Sequence, residues 1–136
     1  MESLEKKYFD SYVVVSVQLF RATINEAQEF RNSIEQDMEM GYNNFIIDLS
    51  SCEYLDSTFV GAMIIIYKKL KEQGGNHLLV KSGKFTEMIF LITETLTRFN
   101  IFHSIEEAVS YMFTPNFSIE PVLSGEDQYI KMHKTI

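Results

Sequence analysis

Apolar residues fall into two rhythms along this chain: short dense runs, and longer stretches in which they recur every three or four positions. Tyr12-Val13-Val14-Val15-Ser16-Val17 is dense and β-branched, the composition of a strand, and Tyr8-Phe9 predicts an antiparallel partner joined to it through Asp10-Ser11. Residues 1–7 are polar and charged and read as a loose end. Ala27, Phe30, Ile34 and Met38 then repeat at helical spacing behind Thr23-Ile24-Asn25-Glu26. That tetrapeptide has the capping-box pattern, in which a hydroxyl and a carboxylate satisfy free N–H groups at a helix entry, and Gly41 supplies a stop. Residues 45–49 are apolar on both faces apart from Asp48, as expected of a strand in the middle of a sheet.

Asp56 or Ser57 caps the next helix, whose stripe is Val60, Met63, Ile64, Tyr67 and Leu70. Lys68, Lys69 and Lys71 oppose the negative end of its dipole, and Gly74-Gly75-Asn76 ends it. His77-Leu78-Leu79-Val80 is a further strand, and Phe85, Met88, Ile89, Ile92 and Leu96 predict a third helix. Ile101-Phe102 is a brief strand, and Ser104-Ile105-Glu106-Glu107 opens a helix with Ala108, Val109 and Met112. Alternating strands and helices imply parallel neighbours joined by right-handed crossovers. From Phe113 the pattern decays at Pro115, Pro121 and Ser124-Gly125. One domain over residues 1–112 is expected, with 113–136 an extension, mobile or docked on it.

Length and a 46% hydrophobic content suit one domain with one core. A net charge of −7 argues against nucleic acid, which draws its affinity from clustered Lys and Arg. The longest apolar run, 59–67, is far shorter than the ~20 residues that span a bilayer, and the acidic N-terminus has no signal-peptide pattern. No direct membrane insertion and a soluble, cytoplasmic protein are the expectation. A single cysteine excludes an internal disulfide, and Cys52 reads as a small buried hydrophobe with no spaced metal partner. His77, His103 and His133 lie in unrelated segments, and no Gly-x-Ser-x-Gly elbow is present. Gly74-Gly75 follows a helix instead of opening one, unlike a phosphate loop. These patterns name no catalytic residue, metal or cofactor, and predict that the chain is not an enzyme.

The remaining candidate chemistry is Asp56-Ser57-Thr58, at a strand-to-helix corner. It is either a plain helix cap, worth ~1 kcal/mol, or a hydroxyl held where a phosphate is gained and lost. Asp48, at the last turn of its strand, is either an acceptor for loop N–H groups or a carboxylate facing the rim where ligands sit in α/β folds. On a helical wheel Ala62 and Ile65 lie away from the Val60 stripe, with Phe59 and Ile66 on its flank. Ile65 falls among Lys68, Lys69 and Glu72. Either another element covers this face, or it is an apolar patch open to a partner or a second copy.

An apolar strand ending in Asp48-Leu49, then Leu55-Asp56-Ser57-Thr58, Gly61, and a Lys-rich helix end with Gly74-Gly75 resembles the STAS domain of bacterial anti-sigma-factor antagonists, over residues 12–112. The resemblance implies a single α/β STAS-like domain, with a mixed sheet of about four or five strands and about four helices packed mainly on one side. It implies Ser57 as phosphoacceptor, with Thr58 the secondary candidate. The partner it implies is an anti-sigma factor with serine kinase activity or another STAS-binding protein, touching Asp48, Asp56, Phe59, Ala62, Ile65 and Ile66. Thr23 stands where the family usually has an acidic residue, keeping the capping chemistry without the charge. Phe59 stands where the family usually has Gly, so a ring is expected beside the hydroxyl, either hindering a kinase or altering a contact. The other reading is a constitutive interaction subunit of a larger assembly, such as a signalling scaffold or an ABC-transporter accessory. A homodimer fits either.

Overall fold

The β-branched run and the two capping signals dictate where this chain turns from strand to helix. The computed structural model describes residues 4–19, 21–81 and 100–114. In chain order these form β1 (Leu4–Tyr8), β2 (Val13–Val17), β3 (Arg21–Ala22), α1 (Ile24–Glu39), β4 (Asn44–Asp48), β5 (Tyr54–Leu55), α2 (Ser57–Glu72), β6 (Asn76–Val80), β7 (Asn100–Phe102) and α3 (Ile105–Met112). Five strands make one mixed sheet in the order β1-β2-β4-β6-β7. β1 runs antiparallel to β2, while β2, β4, β6 and β7 are parallel neighbours in which Val13 pairs with Phe45, Asn44 with Asn76 and Leu79 with Ile101. The expected mixed α/β sheet is therefore present. The helix expected over 85–96 and residues 115–136 of the extension lie outside the described residues.

Phe45, Ile46 and Ile47 are all fully buried, so β4 is covered on both faces, as its unbroken apolar run requires. α2 packs on β6 and against α1. Phe30 of α1 and Phe59 of α2 meet with ring centroids 4.8 Å apart. Between α2 and β6 the chain turns at Gly74, whose φ of 76° is a conformation natural to glycine. Gly75 follows because any Cβ there would lie 2.0 Å from the Asn43 carbonyl oxygen.

Residues 4–7 are not a loose end. They form most of β1, with Leu4 opposite Val17 and Tyr8 opposite Val13. Their polarity concealed the strand because the inward-facing lysine is neutralised by α1: Lys6 Nζ donates to Asp37 Oδ2 at 2.7 Å and to the Ser33 carbonyl at 2.9 Å. Tyr8 donates its hydroxyl to the other Asp37 oxygen at 3.0 Å. Asp37 is thereby buried with its acceptors used, as a carboxylate removed from water must be.

Candidate functional site

The corner between β4 and α2 is built by several separate restraints on residues 49–56. Leu49 N–H donates to the Val80 carbonyl at 2.8 Å, and Cys52 N–H donates to the Leu49 carbonyl at 3.0 Å. The buried Lys81 ammonium donates to the Cys52 carbonyl at 2.9 Å. Tyr54 and Leu55 then pair in parallel with Arg21 and Ala22, a two-stranded sheet separate from the main one. Arg21 also lays its guanidinium over the Tyr54 ring, 4.4 Å from the centroid, a cation–π contact. The segment before α1 is thus pinned beside the segment before α2.

This brings two helix entries together at one carboxylate. Asp56 takes an extended conformation (φ −92°, ψ 172°) as N-cap of α2 and accepts the Phe59 N–H on Oδ1 at 2.9 Å. Its other oxygen, Oδ2, accepts the Ile24 N–H at the start of α1, at 2.8 Å. Asp56 N–H in turn donates to the Ala22 carbonyl at 3.0 Å. α1 carries its own capping box as well: the Glu26 carboxylate accepts from Thr23 N–H at 2.9 Å, and Thr23 Oγ1 accepts from Asn25 N–H at 3.3 Å. Two positive dipole ends converge on this spot.

Ser57 and Thr58, in the first turn of α2, are exposed. Beside them a groove of about 620 Å³ runs between the helices, lined by Ile24, Ala27 and Arg31 of α1 and by Gly61, Ala62 and Ile65 of α2, with Thr58 at its mouth. Its apolar rim is in water: Ile24 is 63% exposed and Ile65 38%. The two helices are also tied by charge, since Glu35 accepts from Arg31 Nε at 3.2 Å and from the Lys69 ammonium. The bond from Lys69 holds the Glu35 carboxyl below its usual range, against the opposing effect of its partial burial.

The expected partner residues separate by exposure. Ala62 lines the groove, and Ile65 stands at its edge. Phe59 and Ile66 are fully buried, so of the two alternatives left open for this face the covered one holds at these two positions. α1 covers that flank, and the Phe59 ring turns inward against Phe30 instead of standing beside the Ser57 hydroxyl. Asp48 accepts from Ser50 N–H at 3.0 Å and from the Ser50 hydroxyl, so it holds its own loop. Sequence reasoning missed the α1 wall of the groove. One signal was available: Ile24 is apolar but off the Ala27/Phe30/Ile34 stripe.

Burial pushes the Cys52 thiol up, and its Sγ donates to the Tyr54 carbonyl at 3.3 Å. His77 is buried against the Tyr67 ring, and desolvation lowers its imidazole to about 3, so it is neutral at ordinary pH. His103 is exposed, and His133 lies outside the described residues. Among the described residues no group of three or more His, Cys, Asp or Glu is placed to hold a metal ion, and no helix is long and apolar enough to cross a membrane.

A five-stranded mixed sheet with an exposed hydroxyl at the entry of the helix that follows its central strand defines the class as a mixed α/β domain with a helix-entry corner open to solvent. The sequence profile of the STAS domain matches residues 13–108, and the chain belongs to the STAS domain family. A Thermotoga neapolitana protein named, provisionally, as an anti-sigma factor antagonist is 28% identical over 98 residues, which are 71% of this chain and 87% of that protein. The crystal structure of a provisionally assigned anti-sigma factor antagonist from Thermotoga maritima superposes with a TM-score of 0.67 at 26% identity, covering 79% of this chain and 92% of that one. The Bacillus cell fate determinant SpoIIAA in its phosphorylated form shares the fold, with a TM-score of 0.61 at 17% identity over 80% of this chain and 98% of that one.

Proposed function

We propose that this chain is a phospho-switchable anti-sigma factor antagonist, a binding module and not an enzyme, that acts in the cytoplasm. With Ser57 unmodified it binds an anti-sigma factor that has serine kinase activity, through the groove edged by Ile24, Ala62 and Ile65 and the adjoining Asp56-Ser57-Thr58 corner. Phosphorylation of Ser57 ends that binding, with Thr58 the secondary acceptor. The observation that carries this reading is an exposed hydroxyl in the first turn of α2, beside a groove of mixed lining whose apolar residues Ile24 and Ile65 stand in water.

The transfer asks little of this chain. The partner holds the nucleoside triphosphate, and its γ-phosphoryl group moves to Ser57 Oγ. The nucleoside diphosphate leaves, and the hydroxyl proton passes to a base on the partner. The product carries about −1.5 to −2 charges. Attraction to a helix N-terminus, ~0.3 to 1 kcal/mol, offsets repulsion from Asp56, so the domain keeps its fold. A docked partner has no such compensation, because burying an unpaired dianion costs several kcal/mol.

A second reading is favoured by the groove itself, whose apolar rim stands open with no phosphate present. On that reading the domain is a constitutive STAS subunit of a signalling scaffold or an ABC-transporter assembly, or pairs with a second copy. Intact-mass analysis of the protein from its native cell, with affinity capture of wild type, Ser57→Ala and Ile65→Ser, separates the two. A single phosphate on wild type, absent from Ser57→Ala, together with capture of a kinase-like partner, supports the switch. Unphosphorylated protein that co-purifies with a transporter ATPase overturns it.

A further inference from the structure

Asp56 has a position that helix capping alone does not require. One oxygen caps its own helix over an interval of three residues, and the other reaches an N–H 32 residues earlier in the chain, at the start of α1. We infer that Asp56 is a positioning residue that couples Ser57 to α1, and that a phosphate on Ser57 is read out at Ile24 because it drives Asp56 off the Ile24 N–H. This rests on the reading of Ser57 as phosphoacceptor and names how that site would be regulated.

The two bonds differ in what holds them. The Phe59 bond is partly buried and local, fixed by the extended backbone of the cap. The Ile24 bond is exposed and links two segments that only tertiary structure brings together. A dianion on the adjacent residue repels the Asp56 carboxylate and competes for the positive helix entries. The exposed, long-range bond is the one that gives. Ile24 is also the most exposed apolar residue of the groove, so releasing its N–H loosens the surface a partner meets, on a helix that carries no phosphate.

The test installs phosphoserine at position 57 during translation, with no kinase, so it stands whether or not a kinase partner exists. Amide-proton exchange with water is measured by NMR at Ile24 and Phe59. In the phosphoprotein the Ile24 rate rises about three- to tenfold, the factor expected for one lost hydrogen bond, while Phe59 stays within about twofold. Asp56→Ser, which keeps a hydroxyl cap for α2 but is too short to serve both helices, reproduces the Ile24 change without phosphate, and phosphoserine then adds nothing to it. An Ile24 rate in the phosphoprotein within about twofold of the unmodified protein overturns the coupling. So does a parallel rise at both amides, which marks general fraying of the corner. Should Asp56→Ser fail to fold, the comparison of phosphorylated with unmodified wild type decides the matter alone.

Discussion

α1 and α2 have the same length, 16 residues each, but different jobs. α1 buries Ala27, Phe30, Ile34 and Asp37 and gives its remaining faces wholly or partly to water. α2 buries Phe59, Val60, Ala62, Met63, Ile64, Ile66 and Leu70, because it packs both on the sheet and against α1. On a doubly packed helix an apolar residue off the main stripe is more often core than contact surface. What α2 leaves in water near its entry is Ser57, Thr58 and the edge of Ile65, and that restriction is what makes the corner a candidate signal surface.

The strongest challenge to this contrast is Phe59→Ala. If Phe59 is core, urea unfolding will show a loss of about 3–5 kcal/mol, the cost of emptying a buried aromatic site. A loss under about 1 kcal/mol would return the ring to the surface and reopen it as a partner contact.

The inner side of α2 is probed by pH. His77, packed against Tyr67, has its imidazole lowered to about 3 when folded, against an ordinary value of 6.5. The unfolded chain therefore takes up a proton that the folded chain refuses, so this residue's contribution is fully present above pH 6.5 and is lost as pH falls toward 3. The loss from this group between pH 7 and pH 5 is about 2 kcal/mol, measured as the difference in denaturation midpoint between wild type and His77→Leu. Parallel pH profiles for the two proteins would refute it.

The smallest effect sharpens the comparison most. Nothing lies within 4 Å of a Cβ built on Gly61, although the residue lines the groove. Gly61→Ala should stabilise the isolated domain by about 0.5–1 kcal/mol, because glycine is costly inside a helix. The same methyl occupies space a partner would need, so affinity for the captured partner should fall while thermal stability rises. Equal affinity would place the docking surface elsewhere.

Most of the fold was legible in the sequence where pattern and local chemistry agree. The capping residues Thr23 and Ser104, the dense run at 13–17 and the Gly74-Gly75 stop each lie where local rules put them. β1 was hidden because an edge strand can be polar when a helix supplies its counter-charge, here Asp37 for Lys6. β3 and β5 were hidden because two residues each carry no periodicity. At the site, Ser57 and Asp56 were readable from a local motif. Ile24 and Arg31 were not, since their nearness to α2 depends on how the helices pack. The burial of Phe59 and Ile66 stayed open between two alternatives because a wheel drawn for one helix cannot show a second helix lying over it.

The only cysteine of the chain sits inside the corner that holds Ser57, fully buried, its thiol bonded to the Tyr54 carbonyl and its own carbonyl held by Lys81. Shut away from water and with its thiol pushed up, it is a slow target for alkylating reagents. Its rate of labelling is therefore a clock for how often this loop comes open. No engineered dye or second cysteine is needed to compare that opening in the free, partner-bound and modified protein.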